Sequence, residues 1–457
     1  METKQTIVFF LMAAALISGQ LVLLSFWGLS ENKMFIQTAS FSLGDNNYGN
    51  IIPVQLSSGV SSNGFQVLPD PSPPSIADPN LKVEKVITGL DSPTSMAFVD
   101  NDDIIITQKD NGQVRLVSNG VLKPEPILQV PVVNNSERGL LGVAVANSTT
   151  DGSTKTVFLY YTEPVGGQAK NRIYRFEWNG VDNLSGGRLI LDLPGEPGPN
   201  HNGGKMKIGP DGMLYAVKGD LNRDGMLENV KDGPPPDDTS VLLRVDHDGN
   251  GAGNPLSGPG GSNLTRYYAY GIRNSFGFDF DPLTGILWDA EDGPTDYDEI
   301  NIVLPGFNSG WQKVMGPMQR DEGGTTTEDL VQFQGSHYAD PVFSWLKSEG
   351  VTDMEILNSS NLGERYDYNI FVGDINNGNL YFFTVNSNRN GLELGSIAGL
   401  QDLVADNADE LNAVIFGRGF AGGITDIETG PDGNLYILTL RGDLYRIVPS
   451  APQASAT

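Results

Sequence analysis

Two stretches decide how this chain folds: "GPDGMLYAV" at residues 209–217 and "GPDGNLYIL" at residues 430–438. Each joins a Pro-Asp-Gly turn to a short strand of apolar and aromatic residues, and the looser "DPLTGILWDA" at 281–290 repeats the idea. A turn-plus-strand unit that recurs along a chain, with one copy close to its end, points to a β-propeller rather than a sandwich.

Outward from these copies the pattern continues. "DDIIITQKDNGQVRLV" (102–117), "KTVFLYYTE" (155–163) and "YNIFVGDINNGNLYFFTV" (368–385) are further strands, alone or paired around tight Asp-Gly and Asn-Gly turns. One short helix is expected near residues 400–412. The fold class is therefore all-β, and the ~40 to 60 residues of a long-looped blade divide residues 81–449 into six blades. In such a fold the loops of one face converge on the central channel, where residues distant in sequence meet.

The ends read differently. Residues 6–29, "TIVFFLMAAALISGQLVLLSFWGL", are uncharged and almost wholly apolar. They predict a membrane-anchoring or signal helix within residues 1–30, which places the rest outside the cytoplasm. Residues 31–80, rich in Ser, Asn, Gly and Pro, read as a flexible linker, and 450–457 as a disordered tail.

The chain carries 29 Lys and Arg against 56 Asp and Glu, a net charge of −27. That field repels phosphates, so nucleic acid is excluded as a partner and a neutral ligand or a cation is favoured. There is no cysteine among the 457 residues. Thiolate nucleophiles, zinc-thiolate sites and iron–sulfur clusters are excluded, and redox chemistry requires a bound cofactor.

Four stretches offer chemistry. In "NHNGG" (200–204) His201 sits among small residues that let a ligand approach, and Asp220, 19 residues on, follows an out-and-back path that can return it to the imidazole. His201 is either a proton acceptor or a solvated loop residue. In "YAYGIRNSFGFDFDP" (268–282) Arg273 and Asn274 interrupt aromatic runs, so the guanidinium serves a ligand or ties two blades together. "WDAEDGPTDYDEIN" (288–301) packs six carboxylates between Asp289 and Glu299, a calcium-type loop or an acidic surface. "DLNRDGMLENVKD" (220–232) begins like an EF-hand but has Lys231 at the twelfth position, where bidentate Glu is required.

In order, the pieces "ERGLLGVAVAN", "HNGGKMKIGPDGMLYAVKGD", "LLRVDHDG", "YAYGIRNSFGFDFDPLTGILWDAEDGPTDYDEIN", "FVGDINNGNLY" and "ITDIETGPDGNLYILTL" resemble the soluble quinoprotein glucose/sorbosone dehydrogenases, or aldose sugar dehydrogenases, over about residues 85–449. The resemblance implies pyrroloquinoline quinone (PQQ) and calcium over the channel. It implies His201 as base for the anomeric hydroxyl of a sugar, with Asp220 as its carboxylate partner. It places Arg273 and Asn274 beside the quinone, has the backbone of Gly293 and Pro294 hold the cofactor calcium, and has Asp298 and Glu299, a nearby acidic pair, hold a structural calcium. An extracytoplasmic electron acceptor would complete the reaction. Two positions depart from the pattern, Ile272 and Phe276, and Asn376, Asn377 and Asn379 are uncharged where cations for the quinone carboxylates are expected. Lys218, Lys347 and Arg389 remain as substitutes. The competing readings are a non-catalytic calcium-binding propeller that recognises glycans or a protein, and a metal-dependent lactonase.

Overall fold

The computed structural model describes residues 73–147, 154–181, 183–258 and 261–450, together with the backbone of three strands between residues 12 and 42. The chain divides into two units, Met1–Pro69 and Asp70–Thr457.

In the first unit, Met12–Ile17, Gln20–Ser30 and Lys33–Ser42 form a three-stranded antiparallel sheet. Over Met12–Ile17 and from Gln20 onward this corrects the helix expected over residues 6–29, of which 6–11 and 18–19 lie outside the described residues, and it places a strand in a segment read as linker. An apolar run rich in β-branched and aromatic residues satisfies helix and buried strand equally, because it carries no period to separate them. Among the described residues no helix is long and apolar enough to cross a membrane. Residues 43–72 of the expected linker and 451–457 of the expected tail lie outside the described residues.

The second unit is an all-β propeller. Its strands form six sheets. Five are built on a four-strand antiparallel meander that follows chain order. The last, Ile424–Thr429, Leu435–Thr439 and Leu444–Pro449, is completed by Leu81–Ile87, which pairs antiparallel with Leu444–Pro449. The start of the ring is thus hydrogen-bonded to its end. Ser75–Ile76 also joins a sheet, against Ile415–Arg418.

Apolar side chains lie between neighbouring sheets all round the ring. Leu141, Phe158 and Ile173 meet Met206, Leu214 and Leu243, and the circle closes where Met96, Ile104 and Ile106 meet Tyr436, Leu438 and Leu444. Burial of these layers is the main stabilising term. The repeated Gly-Pro-Asp-Gly turns act as read from the sequence: Gly212 and Gly433 take φ of 77° and 76°, and the Asp211 and Asp432 carboxylates accept from the backbone two residues on. The short helix is Ala408–Val414, N-capped by the Asn407 side chain.

The first strands of the sheets crowd the axis. A Cβ on Gly142 would overlap the Gly204 carbonyl, and one on Gly277 would overlap Asp353 and Thr352 of the next sheet. A buried lysine and a half-buried one occupy the same axis. Lys205 Nζ lies 2.7 Å from Asp353, 2.6 Å from Asp426 and 3.3 Å from Glu428. Lys207 Nζ lies 2.8 Å from Asp279 and 2.7 Å from Glu355. Charges buried this deeply persist only when paired.

Candidate active site

A cavity of about 520 Å³ opens at one end of the axis, lined by residues of all six sheets or the loops between them. That volume suits a small-molecule site of ~300–1,000 Å³.

The loop that carries His201 is fixed from three sides. Its backbone N–H donates to Glu137 Oε2 at 2.6 Å, the next carbonyl accepts from Tyr160 Oη at 2.8 Å, and the Asn202 side chain accepts from Asn171 at 2.9 Å. His201 has φ of 59°, a left-handed conformation that this anchoring sustains. A Cβ on Gly203 would overlap the Val217 carbonyl, which explains the glycine that follows.

Met206–Ile208 then runs out and Leu214–Lys218 runs back beside it, which brings Asp220 to the imidazole. His201 Nδ1 and Asp220 Oδ1 are 2.6 Å apart, both side chains buried. Asp220 also accepts from the Asn222 backbone at 2.7 Å and from Trp311 Nε1 at 2.7 Å. With Nδ1 engaged, the ring offers Nε2 to the cavity it lines. This is the geometry of an oriented base.

Arg273 and Asn274 line the same cavity. Arg273 Nη1 donates to the Asp292 carbonyl at 2.8 Å, to Asp292 Oδ2 at 3.2 Å and to the Gly293 carbonyl at 2.9 Å. Its guanidinium lies 5.5 Å from the Trp311 ring. Arg273 Nε and Asn274 Oδ1 are buried without a hydrogen-bond partner. Burial pushes Asp292 up to about 7, the charge of Asp298 adding to the rise, and burial raises Glu137 as well.

Of the residues expected at the two calcium sites, Gly293 and Pro294 line the cavity, and the Gly293 carbonyl accepts from Arg273. Asp298 and Glu299 are neighbours on one strand, so their side chains point to opposite faces. The Asp298 carboxylate is committed to backbone N–H groups of Gly293, Glu349, Gly350 and Val351 at 2.8 to 3.2 Å. Glu299 instead shares a hairpin face with Asp289, Glu291 and Asn301, the cross-strand pairs being Asp289 with Asn301 and Glu291 with Glu299. Asp289 Oδ2 and Asn301 Oδ1 are buried and unpartnered. Burial lifts Asp289 to about 7 and Glu299 to about 8, and burial plus its two acidic neighbours holds Glu291 high. Glu291 accepts from the Arg273 N–H and from Ser309 Oγ, and Glu299 from the Gly316 N–H and Asn301 Nδ2, so the open oxygens of this face are Asp289 Oδ2 and Asn301 Oδ1.

None of the substitute cations reaches the cavity lining. Lys218 is fully buried, its Nζ has no partner, and burial pushes it down to about 7. Arg389 is held by Asp281 and the Tyr368 carbonyl. Lys347 is exposed beside Asp296 in the strand pairing. Of the two departures noted in the sequence, Ile272 is core and Phe276 lines the cavity. Glu137, Lys205 and Trp311 were not singled out from the sequence. Glu137 opens one of the quoted family stretches, but nothing local marks Lys205 or Trp311.

Fold and site together define a β-propeller whose acid–base pair and guanidinium face one axial cavity. The glucose/sorbosone dehydrogenase family pattern matches residues 90–446, and the chain belongs to that family of quinoprotein sugar dehydrogenases and is an oxidoreductase. It is 27% identical over 395 residues to the aldose sugar dehydrogenase of Escherichia coli, covering 82% of this chain and 94% of that protein. It is 26% identical over 269 residues to quinoprotein glucose dehydrogenase B of Acinetobacter calcoaceticus, covering 54% of this chain and 55% of that one. The apo structure of the Escherichia coli enzyme superposes with a TM-score of 0.62 at 25% identity, over 81% of this chain and 99% of that one. The PQQ-bound aldose sugar dehydrogenase of Streptomyces coelicolor shares the fold, with a TM-score of 0.59 at 23% identity over 83% and 99%.

Proposed function

We propose that this chain is an extracytoplasmic dehydrogenase that oxidises the anomeric hydroxyl of a neutral aldose to the lactone on a six-bladed ring, with calcium as a structural ion. The observation that carries the reading is the 2.6 Å His201–Asp220 pair facing a cavity that also holds Arg273. His201 Nε2 accepts the hydroxyl proton. Asp220 fixes the tautomer and stabilises the imidazolium that forms, and Arg273 sets positive charge where the electrons arrive. The sugar carbon gives up a hydride, so a two-electron acceptor is required. The apolar segment at residues 6–29 supports a location outside the cytoplasm.

We assign calcium to the hairpin face of Asp289, Glu291, Glu299 and Asn301, on the support of its two unpartnered oxygens, Asp289 Oδ2 and Asn301 Oδ1. Bound there it would neutralise the carboxylates and hold Glu291, which accepts from the Arg273 backbone at 2.6 Å. PQQ is named for the Streptomyces coelicolor relative, and its reactive carbonyls suit Arg273 and Asn274. Its three carboxylates do not suit this cavity, because every lining cation is already paired, and no step is routed through it.

The test is sugar-dependent reduction of a dye by the purified chain with calcium and a quinone. Turnover that disappears in His201→Asn, with the fold retained, supports the reading; turnover unaffected by that change overturns it.

A further inference from the structure

We infer that this cavity takes its oxidant as an uncharged quinone rather than as a tricarboxylate. The inference deepens the dehydrogenase reading and rests on it.

Three cations line the cavity: Lys109, Lys205 and Arg273. Lys109 Nζ sits 2.5 Å from Asp110. Lys205 is surrounded by Asp353, Asp426 and Glu428. Arg273 spends Nη1 on Asp292 and two carbonyls. Two carboxylates, Glu137 and Asp292, line the same space. The remaining wall, from the fifth and sixth sheets and their loops, is Val351, Thr352, Ile375, Asn376, Thr425 and Leu440, without a charge. A ligand with three carboxylates would give up hydration and receive no free cation in return.

An uncharged ring meets the opposite situation. Leu141, Phe276, Val351, Ile375 and Leu440 offer apolar contact. Arg273 Nε, a donor without a partner, is available to a quinone oxygen, and Asn274 Oδ1, an acceptor without a partner, to a hydroxyl of the hydroquinone. The step balances: the sugar C–H passes a hydride to the quinone and the O–H proton goes to His201. The reduced quinone takes up one proton, and sugar and oxidant leave as lactone and hydroquinone.

The full chain with calcium is titrated by tryptophan fluorescence with three probes: PQQ, its trimethyl ester, and 2,3-dimethoxy-5-methyl-1,4-benzoquinone. The trimethyl ester is expected to bind at least ~10-fold tighter than PQQ, and the benzoquinone to bind measurably. The double variant Asn376→Lys with Thr425→Arg, which puts cations on the neutral wall, should tighten PQQ by ~10-fold or more and leave the benzoquinone within ~2-fold. PQQ binding tighter than its ester overturns the inference, as does a failure of both uncharged probes to bind. Unchanged PQQ affinity in a folded double variant also counts against it. Failure of the dehydrogenase reading looks different: the binding order holds, but no sugar supports turnover with any quinone.

Discussion

Changing Asp220 to Asn preserves the shape of the side chain and removes its charge. Asp220 accepts three hydrogen bonds: His201 Nδ1 at 2.6 Å and the Asn222 N–H at 2.7 Å on Oδ1, and Trp311 Nε1 at 2.7 Å on Oδ2. Asparagine has one acceptor oxygen for these donors. Since two of them converge on Oδ1, the amide oxygen stays there and Nδ2 turns toward the indole N–H. That contact sets donor against donor and costs about 1–3 kcal/mol of stability.

The larger effect falls on turnover. Once His201 holds the sugar proton, its positive charge faces a neutral amide instead of a carboxylate. For charge centres about 4 Å apart at an effective dielectric of about 20, the lost attraction is about 4 kcal/mol, which is ~10³-fold in rate. Steady-state dye reduction at saturating acceptor should show kcat down by ~10³, with KM for the sugar within ~3-fold, because the interaction strengthens only as the proton moves. Trp311→Phe removes one donor and leaves the carboxylate charged, so its cost should stay near ~10-fold or less. An Asp220→Asn enzyme that keeps more than about a tenth of kcat would refute the role given to this pair.

Three further outcomes follow from the buried charges. Lys205→Met leaves Asp353 and Asp426 without their ammonium and should cost ~3–5 kcal/mol in urea unfolding, whereas Lys205→Arg should keep most of that stability; a loss below ~1 kcal/mol would mean the axial pairing contributes little. Asp298→Asn sets an amide among four backbone donors and should lower unfolding free energy by ~2–3 kcal/mol while loosening the Gly293 turn; a neutral result would show that the carboxylate does not clamp these loops. Asp289, near 7, and Glu299, near 8, bind protons more tightly in the folded chain than free carboxylates do, near ~4. Between those limits the folded state holds more protons than the unfolded one, so without divalent ions the melting temperature should fall as pH rises from ~5 to ~8. Calcium, which replaces those protons, should raise melting more at pH ~8 than at pH ~5, and equal shifts at both would exclude the hairpin face as its site.

Local patterns carried the fold into view. The Gly-Pro-Asp-Gly turns announce their φ values and the strands that follow, and a repeated unit needs neighbours to bury its faces. The His201–Asp220 pair was legible for a related reason: a single hairpin, Met206–Ile208 out and Leu214–Lys218 back, separates the two residues, so the return path is short. The first 42 residues were not legible, since an unbroken apolar run lacks the alternation that tells strand from helix. Asp298 and Glu299 were misleading as a ligand pair because adjacency in a strand means opposite faces, and the hairpin partner of Glu299 had to be known before Asn301 and Asp289 could be grouped with it.

The cavity's charge balance was hidden more deeply. In the sequence Lys205 stands four residues after His201 with no acid beside it, and nothing local marks it as paired. The ring brings Asp353 to it from 148 residues away and Asp426 from 221, and both carboxylates are buried with it. A charge pair closed over such separations leaves no trace in local pattern, yet it decides which ligands the cavity can accept. Family membership fixes the scaffold; the pairing state of three lining cations, set by chain segments far from any recognisable motif, governs what the proposed base can work with.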